Sequence, residues 1–423
     1  MSGLRVLIVG ASIAGPTAAY WLAKAGAKVT IVERFPQMRI EGQNIDIRTA
    51  GVTVMRKMEG MEELVRANNA QIDGMAMVRS DGRPYGTIMP TGNADQQSLV
   101  SEFEIYRGDL ARILYDMTKD HKNIKYVFEE QVSAIRHHEK EEGPITVEFA
   151  NGRLPTSEYD LVVACDGATS RTRALGLGCG ARDYVHPINA WAAYFTADKP
   201  FLNGSKIGQG FGATGGRFMA IGTDRDGERS RVMFMQFCSS SNADRMVDFR
   251  AAQKQGNDAL KAHIAGCFGN VGWKVGEALE CMVDSNSFYA SEIVQVKPPS
   301  LSKGRFVMVG DAGYAPGPTG SGTTLAIAGA YILAGEICQH KGDLAAGLRG
   351  YEEEMKPLIK ELQQIPPMLG AFMAPQTAWG LWLRNHIFAF IAWSRIIEFA
   401  QRFFAGAFAH TDQYKLKDYP WIE

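Results

Sequence analysis

Residues 310–330, GDAGYAPGPTGSGTTLAIAGA, hold what a flat redox ring on a polyol tail would need. An apolar strand, Phe306–Val309, delivers Gly310 and Asp311 to its end. A loop follows, with glycines at 313, 317, 320 and 322 and prolines at 316 and 318. A small-residue helix then runs from Thr323 to Cys338. An acid at a strand end can accept hydrogen bonds from a polyol. Glycines let backbone N–H groups approach a ring face. The helix N-terminus behind Ser321, Gly322 and Thr323 favours negative charge on a reduced ring. These are flavin requirements, although the segment alone also fits an ordinary strand–loop–helix connection.

A second nucleotide signal opens the chain. Leu4–Val9 reads as a buried strand, Gly10-Ala11-Ser12-Ile13-Ala14-Gly15 as a tight turn, and Ala14–Ala25 as a helix stopped by Gly26. Val29–Val32 forms the next strand and ends at Glu33. This is the start of a doubly wound sheet. Gly10 permits the turn and Gly15 close helix–strand packing. Ser12, Ile13 and Ala14 lead into the helix N-terminus that receives pyrophosphate. Pro16 suits the first helical turn. Glu33, 23 residues after Gly10, stands where a carboxylate grips an adenosine ribose. Arg34 beside it is a further cofactor candidate. Ser12 replaces the usual central glycine, and the turn by itself serves FAD and NAD equally. Gly208–Ala213 mimics the spacing but continues into Thr214-Gly215-Gly216 and a strand, so it reads as a hairpin or pocket loop.

Two further segments belong with these. Arg107 starts an amphipathic helix (Tyr106-Arg107-Gly108-Asp109-Leu110), where it reads either as a surface arginine or as a guanidinium able to reach a cofactor at the sheet edge. Asp109 is a first-turn helix charge. Asp160–Cys165 is another buried strand. Asp166-Gly167 turns at its carboxyl end, where α/β proteins bind ligands, although alone it also fits a purely structural turn; Arg171 and Arg173 follow.

Together the four segments resemble the single-component, FAD-dependent aromatic hydroxylases with the p-hydroxybenzoate hydroxylase fold. The likeness is nearest to their tetracycline-modifying and secondary-metabolite branches and spans roughly residues 3–355. It implies a Rossmann-like α/β FAD-binding domain, an interleaved β-rich substrate domain and C-terminal helices. It assigns Glu33 to the ribose, Arg107 to the phosphate or ribityl side, and Asp311 to the ribityl hydroxyls. Asp166-Gly167 would link FAD binding to nicotinamide use. Pro318, Gly320, Ser321, Gly322 and Thr323 would run beside the isoalloxazine ring. Gln43–Arg48 resembles the strand and loop near the mobile flavin, which makes Arg48 a flavin or substrate contact. Departures from the family are Ala312-Gly313-Tyr314 for Ala-Ala-His, Ser321 and Thr324 for glutamine and asparagine, and Cys165 for alanine.

The implied activity is NAD(P)H reduction of FAD, reaction with molecular oxygen, and oxygen transfer through a flavin hydroperoxide. Hydroxylation of an aromatic or polyketide-like molecule leads. Epoxidation or Baeyer–Villiger oxidation, oxidase or dehydrogenase activity, and nonenzymatic FAD binding are the other readings. His186 is a proton-relay candidate, and Arg217 a candidate for recognising a substrate oxygen.

The elements that must position these residues divide as 1–71, 101–180 and 284–355 for the FAD domain, 72–100 and 181–283 for the substrate domain, and 356–423 for a helical cap. Strands are expected at Ala190–Thr196, Lys206–Gly210, Arg217–Gly222 and Arg231–Phe237, a helix at Asp244–His263, and returning strands within Val283–Val296. Trp191, Tyr194, Phe211, Met219, Met233, Met235 and Phe237 are pocket or core candidates for a lipophilic ligand. A net charge of -1 gives no field for nucleic acid. Six cysteines lack metal or C-x-x-C spacing, so no metal is expected. A reduced, cytoplasmic protein is expected, with no signal peptide. Aromatic Ala378–Phe408, interrupted by Arg384, Arg395, Glu398 and Arg402, reads as a cap over the core or a homodimer partner, a channel wall, or a peripheral membrane contact.

Overall fold

The computed structural model describes residues 3–38, 44–70, 73–89, 103–139, 143–225, 227–239, 244–366, 369–394 and 415–421. Its first sheet has six strands in the order Ser302–Lys303, Phe306–Met308, Leu161–Ala164, Arg5–Val9, Lys28–Glu33, Ile124–Phe128. All are parallel except the first pair. Val6–Val9 and Leu161–Ala164 are buried on both faces, which is why they read as unbroken apolar runs. Val6, Ile8, Leu161 and Val163 pack against the helices Ala14–Lys24, Gly322–Gln339 and Leu344–Leu362. Leu7, Val9, Val162 and Ala164 pack on the other side with Ile145, Val147 and Tyr159 of a three-stranded antiparallel sheet.

The second sheet has seven strands in the order Tyr289–Val296, Val185–Ala197, Ser230–Phe237, Arg217–Thr223, Ile207–Ala213, Gly74–Val78, Pro84–Ile88. Trp191, Phe234, Met219 and Phe211 turn to a core with the helices Asp244–Gln255, Asn257–Phe268 and Val275–Asp284. Ala192, Tyr194, Met235, Phe237 and Phe218 turn to the opposite face. Strand alternation sorts what sequence left as one list. The Gly208–Ala213 lookalike is the first strand of a hairpin with Arg217–Thr223.

Two expectations need correction. The helix foreseen over 244–263 is two helices, broken at Gly256, whose φ of 109° suits glycine. Val283 and Asp284 end the helix Val275–Asp284, so only Tyr289–Val296 returns as a strand.

The helix Ala378–Ser394 packs on the edge strand Pro84–Ile88, where Gly86 leaves room for Ala392 and Phe388. Its outer face exposes Trp379, Trp382, Phe390 and Trp393. Among the described residues no helix is long and apolar enough to cross a membrane. Residues 395–408 of the aromatic stretch lie outside the described residues.

Candidate flavin site

The N-terminal turn is tight because its glycines leave no room for anything else. Gly10 has φ 108°, and a Cβ there would lie 2.6 Å from the Cys165 carbonyl oxygen. A Cβ on Gly15 would overlap the Gly10 carbonyl. Glu33 Oε2 accepts from the Ala11 N–H (2.9 Å) and Oε1 from the Phe35 N–H (3.2 Å), so the acid sits at the turn as its spacing requires. Ile13 caps the helix that Ala14 begins. Ser12 Oγ accepts from Arg107 Nη2 at 3.2 Å, which draws the Arg107 helix to the turn. Arg34 is exposed, with its guanidinium 4.8 Å from the Phe35 ring centroid.

The 310–330 segment meets this turn from the other side. Gly310 has φ 70°, and a Cβ there would touch Ala14 Cβ (3.0 Å) and Ala326 Cβ (3.5 Å). The helices Ala14–Lys24 and Gly322–Gln339 therefore converge on it. Asp311 opens onto the cleft, yet desolvation by the surrounding walls pushes its carboxyl up, with Arg107 pulling it back. Gly320, at φ 77°, faces open space, and a Cβ on Gly322 would stand 3.5 Å from Asp311 Oδ1. The loop is fastened from behind. Gln295 Nε2 donates to Pro316 O (3.0 Å) and Gln363 O (2.6 Å), Gln363 Nε2 to Val296 O and Ala315 O, and Thr319 Oγ1 to Leu362 O. A groove of about 470 Å³ lined by Gln295, Lys297, Lys360 and Gln363 lies outside this lattice and includes none of the cofactor residues.

Asp166 turns inward. Its carboxylate accepts from Ser170 Oγ and from Thr172 N and Oγ1 (3.1 and 2.9 Å), organising the helix Arg171–Leu177. Buried Arg173 donates to Ala168 O, Ala181 O and Ala312 O, which bolts the Asp166 turn to the Asp311 turn. Tyr314, at the histidine position of the resemblance, is a packing residue. Its hydroxyl lies 3.1 Å from that of Tyr351, which donates to Met308 O, and only a glycine at 329 leaves it room.

Arg48 joins the site through its backbone. Thr324 Oγ1 accepts from Arg48 N–H (3.1 Å) and donates to Arg48 O (3.0 Å), while the Arg48 side chain pairs with Asp46 at 2.7 Å. Asp46 is paired in register with Glu104, and Asn44 Nδ2 donates to Glu104 Oε1 (3.0 Å). Burial and then Asp46 push the Glu104 carboxyl up to about 7, against the Asn44 bond and Arg48. Gln43 lies outside the described residues. Neither Asp46 nor Glu104 carried a sequence signal beyond proximity to Arg48 and Arg107. Their meeting depends on a pairing between distant strands.

Tyr194 of the second sheet feels Arg107. Burial pushes its phenol up to about 12, with Tyr289 adding and Arg107 opposing. Arg217, expected to meet a substrate oxygen, lies on the other face of the second sheet from Tyr194. It shares the strand parity of Met219, and its guanidinium donates to Thr214 O and Cys267 O in the helix-covered layer. His186 is exposed at the outer end of its strand, beyond the irregularity between Pro187 and Ala190, and is not gathered with Arg107 and Asp311. Among the described residues no group of His, Cys, Asp or Glu could hold a metal ion.

This arrangement fits FAD. Gly10–Gly15 and a helix N-terminus suit the pyrophosphate, Glu33 the ribose, Arg107 and Asp311 the phosphate and ribityl side, and the open backbone at Gly320–Gly322 the ring. Fold and site thus define a flavoprotein with a second sheet facing its cofactor cleft. The family model described as "FAD binding domain" matches residues 3–365, and the chain belongs to that family. It is 30% identical to FAD-dependent monooxygenase asL4 of Sarocladium schorii, with 99% of both chains covered. Identity to flavin-dependent monooxygenase eupH of Phoma sp is 32%, over 94% of each. The solved structure of tetracycline destructase Tet(51) is 25% identical with a TM-score of 0.76, covering 98% of this chain and 100% of that one. The chain is a FAD-dependent monooxygenase acting on a small organic substrate.

Proposed function

We propose that this enzyme draws its electrons from NAD(P)H and hydroxylates a lipophilic aromatic or polyketide-like molecule held between its second sheet and the flavin cleft. One observation carries the reading: the sheet face bearing Ala192, Tyr194, Phe218, Met235 and Phe237 is largely apolar, and its Tyr194 phenol feels Arg107, which also acts on Asp311. Bound FAD supplies the exchange of electrons with nicotinamide and oxygen. The chain's own residues bind and orient it, and the apolar face excludes water from the reacting atoms. Tyr194 stays protonated at neutral pH and offers a hydrogen bond at the boundary between sheet and cleft.

The test is anaerobic stopped-flow reduction by NADPH and by NADH across phenolic and polyketide substrates, followed by product analysis after admitting labelled oxygen. Substrate-accelerated reduction and one labelled oxygen on an aromatic carbon support hydroxylation. A ring-expanded lactone or an epoxide would replace it. Peroxide with no labelled product would reduce the chain to an oxidase.

A further inference from the structure

Arg384 lies in the helix Ala378–Ser394, outside every cofactor motif, and is only 5% exposed. Among the described residues its buried Nε and Nη2 have no hydrogen-bond partner. The electrostatic neighbour opposing its desolvation is the phenol of Tyr85 rather than a carboxylate, and burial lowers the guanidinium to about 10. Arg173 shows the contrast: it is as deeply buried, but three backbone carbonyls receive its Nη1 and Nη2 protons. A guanidinium left dry and unpaired is costly in any fold.

The surroundings say where it points. A Cβ on Gly212 would overlap Arg384 Nη2 and lie 3.3 Å from Cζ, so the glycine makes the space in which the guanidinium rests on the sheet. Leu381 Cδ1 comes within 3.2 Å of the same spot. Gly212 pairs with Phe218, Phe218 with Met235, and Met235 with Ala192, all on the face turned away from the helix-covered core. Tyr194 lies two residues along from Ala192. Arg384 and the flavin-side phenol thus share one sheet face, three strand spacings or on the order of 14 Å apart. Nε–H and Nη2–H are the parallel pair of a guanidinium, the edge that meets both oxygens of a carboxylate.

We propose that Arg384 is a substrate-recognition residue, which receives a carboxylate at the end of an extended aromatic substrate remote from the carbon that is oxygenated. The proposal rests on the monooxygenase reading above and narrows its substrate class to acids. Gly212 provides the room for the guanidinium to rest on the sheet, and the largely apolar residues between Arg384 and Tyr194 take the body of the molecule.

The FAD-loaded full chain would be titrated with anthraquinone-2-carboxylate and with its methyl ester, binding being followed by calorimetry. Wild type should hold the acid at least about tenfold more tightly than the ester. Arg384→Met should bring the acid down to the ester's affinity and leave the ester unchanged, and Arg384→Lys should restore part of the difference. Equal affinities in wild type, or equal weakening of both ligands in Arg384→Met, would overturn the proposal. Thermal unfolding without ligand gives an independent check. Removing an unpaired buried charge should raise the melting temperature, whereas a fall would assign Arg384 to the fold and remove it from recognition. Neither measurement needs NADPH or oxygen. Failure of the aromatic-hydroxylation reading would therefore leave the acid preference standing, and loss of the preference would leave flavin reduction intact.

Discussion

Arg107 touches both halves of the flavin site, bonding Ser12 Oγ in the glycine turn and offsetting the raised carboxyl of Asp311. Arg107→Met should weaken FAD binding roughly ten- to hundredfold, the worth of one or two charged hydrogen bonds. Fluorescence titration of apoprotein with FAD measures it, and an unchanged affinity would remove Arg107 from the site. Glu104 makes a different prediction. Its folded pKa of about 7 lies above the 4.5 of an ordinary glutamate, so the folded chain holds this proton more tightly. The stabilisation is complete below pH 4.5 and is lost as pH rises through 7. Glu104→Gln should gain on wild type by on the order of 1–3 kcal/mol between pH 5 and 8, read as the difference of two melting-temperature profiles. Arg107, Glu33 and Asp311 were legible because each stands at a strand end or helix start with fixed spacing to a glycine. Glu104 was not, since its partner Asp46 reaches it only through strand pairing. The direction of Arg217 was not legible, because which way a strand's first residue points depends on the turn before it, and three residues of turn gave no local sign of parity.

Helices and strands meet in this fold at separations that single atoms decide. The helix Ala14–Lys24 approaches the strand Arg5–Val9 so closely that Gly15 sits against the Gly10 carbonyl. Gly15→Ala must displace backbone, not a flexible side chain. We expect a loss of about 1–3 kcal/mol together with FAD retention far below wild type, read by flavin absorbance of the purified protein. Normal flavin content would show that the turn tolerates a wider gap. The parallel sheet was legible because strands buried on both faces leave continuous apolar runs, and the turns between them carry glycine. The second sheet was less so. Ala193 and Ala192 point to opposite faces but look alike in sequence, and both faces are apolar, one under helices and one toward the cleft. The division of 244–268 into two helices hinged on one glycine inside an otherwise helical pattern. The glutamine lattice that fastens Ala315–Thr319 had no sequence signature, because Gln295 and Gln363 bond backbone carbonyls, which any sequence supplies.

At the scale of the whole molecule, the far end of the chain returns to brace its beginning. Residues 415–421 lie along the helices Ala14–Lys24 and Gly322–Gln339, the two that converge on Gly310 at their N-termini. Trp421 packs on Trp21 (centroids 4.6 Å), and Tyr419 lies against Gly335, where a side chain would collide with its ring. Tyr331 donates its hydroxyl proton to Lys417 O at 2.6 Å. Glu336, buried in the middle of this contact, accepts from Tyr419 (2.9 Å) and pairs with Lys417 (3.1 Å). Lys417 also reaches Glu354 on the helix Leu344–Leu362, so one segment ties three helices together. Ending the chain after residue 414 would leave Glu336, among the described residues, with only His340, 3.6 Å away, and uncover Trp21 and Tyr331. Stranding a buried carboxylate costs about 3–5 kcal/mol, less whatever water recovers. The truncated protein should therefore melt several degrees lower. Glu336→Gln keeps an acceptor for Tyr419 but loses the charge that Lys417 meets, so its melting temperature should fall between wild type and truncation. Because the braced helices flank the cofactor turns, flavin release should follow unfolding downward in temperature when both are recorded in one fluorescence scan. A truncated chain that melts and releases flavin at the wild-type temperature would show that the tail rests on the surface without holding the helices.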